Sequence, residues 1–191
     1  MKDIKALLEE TKRVRENIEI EAKTVMKDIK TTYEEIKKVR EEIERDRQVV
    51  EEKERSVDKS KSEVSAFSLF TEGVALSESE RYVEAIEKNK KATELKPDFA
   101  GAYCNWGLNL SKLGRHAEAI EKHKKATELE PKEAIFWFNL GCAYSLLGNK
   151  AKALESLANA ISLDPSYKEN AKKDEDFENL WNDEDFKKLV E

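Results

Sequence analysis

Apolar side chains recur with a fixed rhythm over the first third of the chain. Up to about residue 63 they step alternately by four and three residues, as in the seam of a coiled coil. Neither glycine nor proline occurs before Gly73, so no residue in this segment strongly breaks a helix. We therefore predict a coiled-coil or helical-bundle segment over residues 1–64, with an oligomerisation seam formed by Leu8, Ile18, Val25, Ile29, Ile36, Val39, Ile43 and Val50.

The seam is not uniform. Arg15 and Asp46 interrupt it, and flanking apolar residues such as Leu7 and Met26 widen it, so a bundle is an alternative to a simple dimer. Apolar spacing lapses over residues 56–62, where serines compete for backbone hydrogen bonds. We predict a hinge or helix break in that stretch.

The second region repeats itself. Pro97, Pro131 and Pro165 are each 34 residues apart, and residues 84–97 return at 118–131 with two changes. Glycines and alanines recur in the same register, which predicts pairs of closely packed helices. Gly114 and Gly148 stand where a first helix must stop, as expected for left-handed caps.

This period resembles that of the tetratricopeptide repeat family, a helix-turn-helix unit with the pattern W-x2-LG-x2-Y, then A-x3-F, then P. Residues 134–167 match it best, and we place three repeats at 66–99, 100–133 and 134–167. The resemblance implies an all-α, right-handed superhelical solenoid over residues 65–167. The matching positions are Trp137, Leu140, Gly141, Tyr144, Ala153, Ala160 and Pro165.

After Pro165 the period fails. Residues 168–191 hold two short amphipathic turns, with Asn182 and Asp183 placed to cap the final helix. The segment resembles the closing helices of such solenoids, which cover the last apolar face. A detachable peptide motif that binds another protein is the alternative.

The family resemblance also implies a concave groove, lined by the first helix of each repeat, that receives a peptide. Members that hold acidic chaperone C-termini use a Lys, Asn and Arg clamp, which this chain matches only at Asn105. We therefore predict an apolar helix or extended segment as the ligand, with Asn105 and Asn139 bonding its backbone. The groove residues carried over by register are Phe67, Phe70, Val74, Cys104, Asn105, Leu108, Ile135, Phe138, Asn139 and Cys142.

The sequence supplies no pattern typical of a metal, cofactor or catalytic site. His116 and His123 lack further ligands nearby, and His123 is predicted to be a packing residue. The two cysteines, Cys104 and Cys142, are predicted to be reduced and buried. The acidic run at residues 174–176 lacks the spacing of a calcium loop and is better explained by helix capping. Phosphate-binding loops and nucleophile elbows are also missing, so we predict no enzyme activity.

Composition narrows the class of partner. The 191 residues include 35 Lys and Arg and 41 Asp and Glu, a formal net charge of −6 with both signs interspersed. Such a surface argues against a nucleic-acid partner. The sequence contains neither a signal peptide nor an apolar membrane span, and this favours a cytoplasmic protein. We predict an interaction adaptor or scaffold. In the alternative, a structural assembly protein, the N-terminal helix occupies its own or a neighbour's groove.

Overall fold

The computed structural model describes residues Met1 to Glu191, apart from the side chain of Lys2. Every regular element of the described chain is helical, so the predicted all-α class with a long N-terminal helix is confirmed. The elements are α1 (Lys2–Glu78), α2 (Tyr82–Leu95), α3 (Ala100–Lys112), α4 (His116–Leu129), α5 (Ala134–Leu146), α6 (Lys150–Leu163), α7 (Tyr167–Ala171), a 3-10 helix (Glu175–Leu180) and α8 (Glu184–Val190).

Helix α1 is continuous, so the predicted break within residues 56–62 is wrong. One serine of that stretch, Ser62, donates its hydroxyl to the carbonyl oxygen of Leu95 on α2 at 3.0 Å. Its side chain is therefore bonded outside α1 and does not compete for the backbone of its own helix. With no glycine or proline to force an end, the helix continues through the weak apolar spacing.

The chain divides into two compact units, Met1–Val57 and Asp58–Glu191. In the first unit every residue with a described side chain is exposed. The exposed fraction along the predicted seam runs from 53% at Val39 to 66% at Leu8. This apolar stripe therefore has no partner within its own unit.

Helical hairpins form the second unit, and the same turn joins the two helices of each. Backbone amides of Arg81, Arg115 and Asn149 each donate to a carbonyl oxygen five residues earlier at 2.9 Å. Gly114 and Gly148 adopt positive φ angles of 73° and 79°, as the left-handed caps predicted from the sequence require. In the first hairpin the corresponding turn places Glu80 at φ 60°, a backbone conformation that residues other than glycine rarely adopt.

Small residues allow the paired helices to approach closely. Ala85, Ala119 and Ala153, which hold the same register in successive repeats, are completely buried. Larger side chains such as Leu110 and Leu157 fill the spaces between helices in the same core.

The C-terminal segment belongs to this core and is not a free tail. Phe177 and Phe186 are 0% and 2% exposed, with their ring centroids 5.9 Å apart. Asp183 caps α8, because its carboxylate accepts hydrogen bonds from the backbone amides of Asp185 and Phe186 at 3.0 and 3.2 Å. The capping role predicted for Asp183 is thus confirmed.

Among the described helices, none combines the length and apolar character required to cross a membrane.

Candidate functional site

A cavity of about 460 Å³ lies between α3, α5 and the loop that precedes the 3-10 helix. Residues 173–176, the end of this loop and the start of the 3-10 helix, form one wall, which register within the repeats could not predict. Three predicted groove residues, Leu108, Asn139 and Cys142, share this cavity. Ser111 and Lys112 on α3 and Leu146 on α5 also line it.

Two of the predicted groove residues lie elsewhere, in an aromatic cluster with Phe99. The ring centroid of Phe99 is 4.9 Å from that of Phe70 and 6.3 Å from that of Phe67. Phe67 remains 61% exposed, whereas Phe70 and Val74 are half-buried. Ile135, 39% exposed on α5, does not line the cavity.

Phe138 does not offer an open groove surface. It is 6% exposed and packs against Tyr167 and Phe177, with centroid distances of 4.8 and 5.5 Å. The prediction that Phe138 lines an open groove is therefore wrong. The physical reason is that the C-terminal segment covers this position of α5.

The two asparagines differ in their partners. The side-chain amide of Asn139 donates to the Sγ atom of Cys104 at 3.2 Å, and Asn139 is buried. Its amide therefore already bonds within the protein and is not held ready for a partner's backbone. Asn105 is half-buried, and its Nδ2 atom has no hydrogen-bond partner among the described residues.

Both cysteines are free and buried, as predicted. Burial raises the pKa of the Cys104 thiol to about 11, and the Asn139 hydrogen bond opposes part of that rise. Burial also raises the pKa of Cys142 well above its usual value, with further contributions from the carboxylates of Asp174 and Asp176. Both side chains are therefore neutral thiols near neutral pH.

The N-terminal end of the 3-10 helix brings carboxylates to Cys142. The Sγ atom of Cys142 and carboxylate oxygens of Asp174 and Asp176 all lie within 4.8 Å of one another. Burial, followed by repulsion from Asp174, raises the pKa of Asp176, while Lys112 and His116 oppose the rise. Sequence reasoning missed this cluster, because α5 and the loop are far apart in the chain and no short motif connects them.

His123 is a packing residue, as predicted, and it also lines the cavity. The side chain is 1% exposed and its ring packs against Gly107, where an added Cβ would lie only 2.7 Å from Cε1. Burial lowers its pKa to about 4, and Nδ1 has no hydrogen-bond partner among the described residues. The imidazole is therefore neutral in the folded protein near neutral pH.

We expect His123 to make the fold sensitive to acid. Its pKa is depressed to about 4 on folding, so below the ordinary value near 6.5 the unfolded chain binds a proton that the folded chain does not. Protonation thus favours unfolding, and stability falls as the pH drops between these values. When the pH is lowered from about 7.5 to about 5, the free energy of unfolding should fall by about 2 kcal/mol more for the wild type than for His123→Asn. Urea unfolding measures this difference.

Asparagine suits this comparison because Asn89 occupies the same register position over Gly73 in the preceding repeat. All other ionisable groups are the same in both proteins, so the difference between the two isolates the histidine. Equal losses of stability in the two proteins would contradict the prediction.

Comparison with family models supports the repeat assignment. Residues 134–167 match the model of the tetratricopeptide repeat, and residues 107–148 match a second model described as a TPR repeat. A search of curated protein sequences finds no match. The boundaries proposed for the segments 1–64, 65–167 and 168–191, and for the repeat at 66–99, stay predictions.

Solved structures show the same architecture. MamA is 25% identical with a TM-score of 0.58, over 71% of this chain and 82% of MamA. YrrB, described as a TPR protein with an unusual peptide-binding site, is 29% identical with a TM-score of 0.53, and the match spans only 57% of each chain. The TPR domain of Arabidopsis OM64 is 20% identical with a TM-score of 0.54, over 55% of this chain and 87% of that domain.

Stacked helical hairpins with a cavity between their first helices define a repeat domain of the kind that serves as an interaction scaffold. Residues 107–167 of this chain match tetratricopeptide repeat models, which supports the predicted repeats there.

Proposed function

We propose that this protein is a non-catalytic adaptor whose groove binds an apolar segment of another protein. The observation that carries the proposal is the pair Leu108 and Leu146, which face one cavity from α3 and α5 while remaining 37% and 38% exposed. Partly exposed leucines on two neighbouring first helices supply the apolar anchors that a helix or extended peptide requires. The peptide-binding site named for YrrB supports the same use of this fold.

The charge around the cavity favours an apolar ligand over an acidic C-terminus. Asp174, Glu175 and Asp176 form one wall, with Lys112 and Lys173 as the positive groups lining the same cavity. The three carboxylates outnumber the two ammonium groups, so a partner's carboxylate meets net repulsion there. Similarity to the clamp-bearing members of the family would place Phe70, Val74 and Ile135 at clamp positions, and these apolar residues offer such a carboxylate no cation.

The exposed seam of the Met1–Val57 unit supports a second part of the proposal, homo-oligomerisation through α1. Two grooves on one assembly strengthen binding to a partner that has two matching segments, by orders of magnitude where the geometry allows both to engage. We therefore propose that the assembly works by avidity, with modest affinity at each groove.

The groove is tested by selecting peptides from a random library on the full chain and measuring their affinity by fluorescence polarisation. The selected peptides should be rich in apolar residues. Leu108→Glu should weaken their binding by at least about tenfold, because it removes an apolar anchor and places a charged carboxylate where an apolar ligand would have to displace its water.

Leu163→Glu is the matched control, since Leu163 on α6 is 43% exposed and does not line the cavity. It should leave the affinity unchanged. If the two variants bind the selected peptides equally well, the groove is not the binding site. If the library yields only peptides with acidic C-termini, the proposed partner chemistry is wrong.

A further inference from the structure

The cluster of Cys142, Asp174 and Asp176 combines sulfur and oxygen donors within one cavity. One donor atom from each residue lies within 4.8 Å of the other two. A tetrahedral zinc ion holds sulfur at about 2.3 Å and carboxylate oxygen at about 2.0–2.2 Å, which places such donors roughly 3.5 Å apart. The three side chains therefore need to close by only about 1 Å to share one ion.

The fold holds the two carboxylates against α5 by contacts on both sides of the loop. Asp174 accepts a hydrogen bond from the backbone amide of Asp176 at 3.0 Å, which caps the 3-10 helix. Beyond it, Asn179 accepts from the hydroxyl of Ser145 at 2.7 Å and donates to the Ser145 carbonyl oxygen at 2.9 Å. Between Asp176 and Asn179 in the chain, the ring of Phe177 is buried and holds the segment in place.

His123 gives an independent indication of a polar ligand in this cavity. Its side chain is 1% exposed, lines the cavity, and leaves Nδ1 without a hydrogen-bond partner among the described residues. Buried polar atoms in native proteins are nearly always hydrogen-bonded, so this atom calls for a partner such as a water or another polar ligand. His123 lies outside the three-donor cluster, so we do not count it among the ligands.

We propose that Cys142, Asp174 and Asp176 form a zinc-binding site. A mixed set of one thiolate and two carboxylates suits a borderline ion such as Zn²⁺, whereas Ca²⁺ and Mg²⁺ prefer oxygen ligands throughout. As the sulfur–zinc bond forms, the S–H bond of Cys142 breaks and its proton passes to the buffer. Zinc then neutralises two of the three negative charges that its ligands bring together.

Three protein ligands leave one tetrahedral position open for a water molecule or for a side chain of a bound partner. The ion would also tie α5 to the N-terminal end of the 3-10 helix, where residues 174–176 form a wall of the groove. The site requires no peptide, so its test stands apart from that of the adaptor function.

Cobalt(II) is the probe, because a cobalt–thiolate bond produces a charge-transfer band in the near ultraviolet that carboxylate ligands do not produce. We expect the full-length, reduced protein to bind one equivalent of Co²⁺ with this band, and one equivalent of Zn²⁺ to remove it by displacement. Cys142→Ala should abolish the band. Asp176→Asn should weaken Co²⁺ binding by at least about tenfold, since it replaces an anionic ligand with a neutral amide.

Cys104→Ala is the matched control, because Cys104 is equally buried but lies outside the cluster. It should retain the band and the stoichiometry, and circular dichroism checks that each variant is folded. A wild-type protein without the band, or a band that survives Cys142→Ala, would overturn the proposal. Co²⁺ bound with no thiolate band would also overturn it, by placing the ion on surface carboxylates.

Discussion

Phe177→Ala is expected to lower the free energy of unfolding of the Asp58–Glu191 unit by about 3–5 kcal/mol, the range for removing a fully buried phenylalanine ring. The Phe177 ring is 0% exposed and lies against Phe138 and Phe186, at centroid distances of 5.5 and 5.9 Å. It also approaches Gly141, where an added Cβ would lie 3.3 Å from its Cζ. Alanine leaves a cavity that these neighbours, held on α5 and α8, cannot easily fill.

Urea unfolding followed by tryptophan fluorescence measures this loss, because Trp181 is half-buried close to the substituted residue in the chain. Phe67→Ala makes the same chemical change at a side chain that is 61% exposed. Phe67→Ala should lower the free energy of unfolding by less than about 1 kcal/mol, because this side chain buries little surface. Comparable losses for the two variants at equal protein concentration would show that the C-terminal segment does not contribute to the core as described.

The second large effect is expected in the N-terminal unit, on the assembly of the protein. Wild-type protein should have a solution mass of at least twice 22.0 kDa by light scattering, and Ile29→Lys combined with Ile36→Lys should have the monomer mass. These residues hold the same position in successive heptads and are 58% and 62% exposed in the isolated chain. Burying an isoleucine contributes about 1.5–3 kcal/mol, so two residues from each of two chains supply at least about 6 kcal/mol.

A loss of about 6 kcal/mol corresponds to a dissociation constant raised by about 10⁴. Ile20→Lys is the control, because Ile20 is as exposed as Ile36 but lies on the opposite side of the helix from the seam. It should leave the mass unchanged. A monomeric wild type would contradict oligomerisation through α1.

Helix positions were predictable because the signals that set them are local. The long α1 follows from the absence of glycine and proline before Gly73, and the hairpin turns follow from Gly114 and Gly148 at a repeated register. The prediction of a helix break over residues 56–62 was wrong. Serine weakens a helix only slightly, and the partner that Ser62 finds on α2 is visible only in the folded chain.

The groove was predictable only in part. Three of the residues that family register places in the groove, Leu108, Asn139 and Cys142, line one cavity, because neighbouring first helices repeat the same geometry. The register failed at Phe138, where the next element in the chain is not another repeat. Tyr167 and Phe177 cover that position instead, and the sequence after Pro165 has no period from which this could be read.

The sequence by itself determined the helical class, the repeat period and the heptad stripe, since each depends on residues within a few turns of one another. Only the tertiary structure decided what the C-terminal segment does. It covers Phe138, and it brings Asp174 and Asp176 to Cys142. These contacts join residues that are distant in the chain, and their geometry depends on how the Phe177 ring and the Asn179 amide seat the segment on α5.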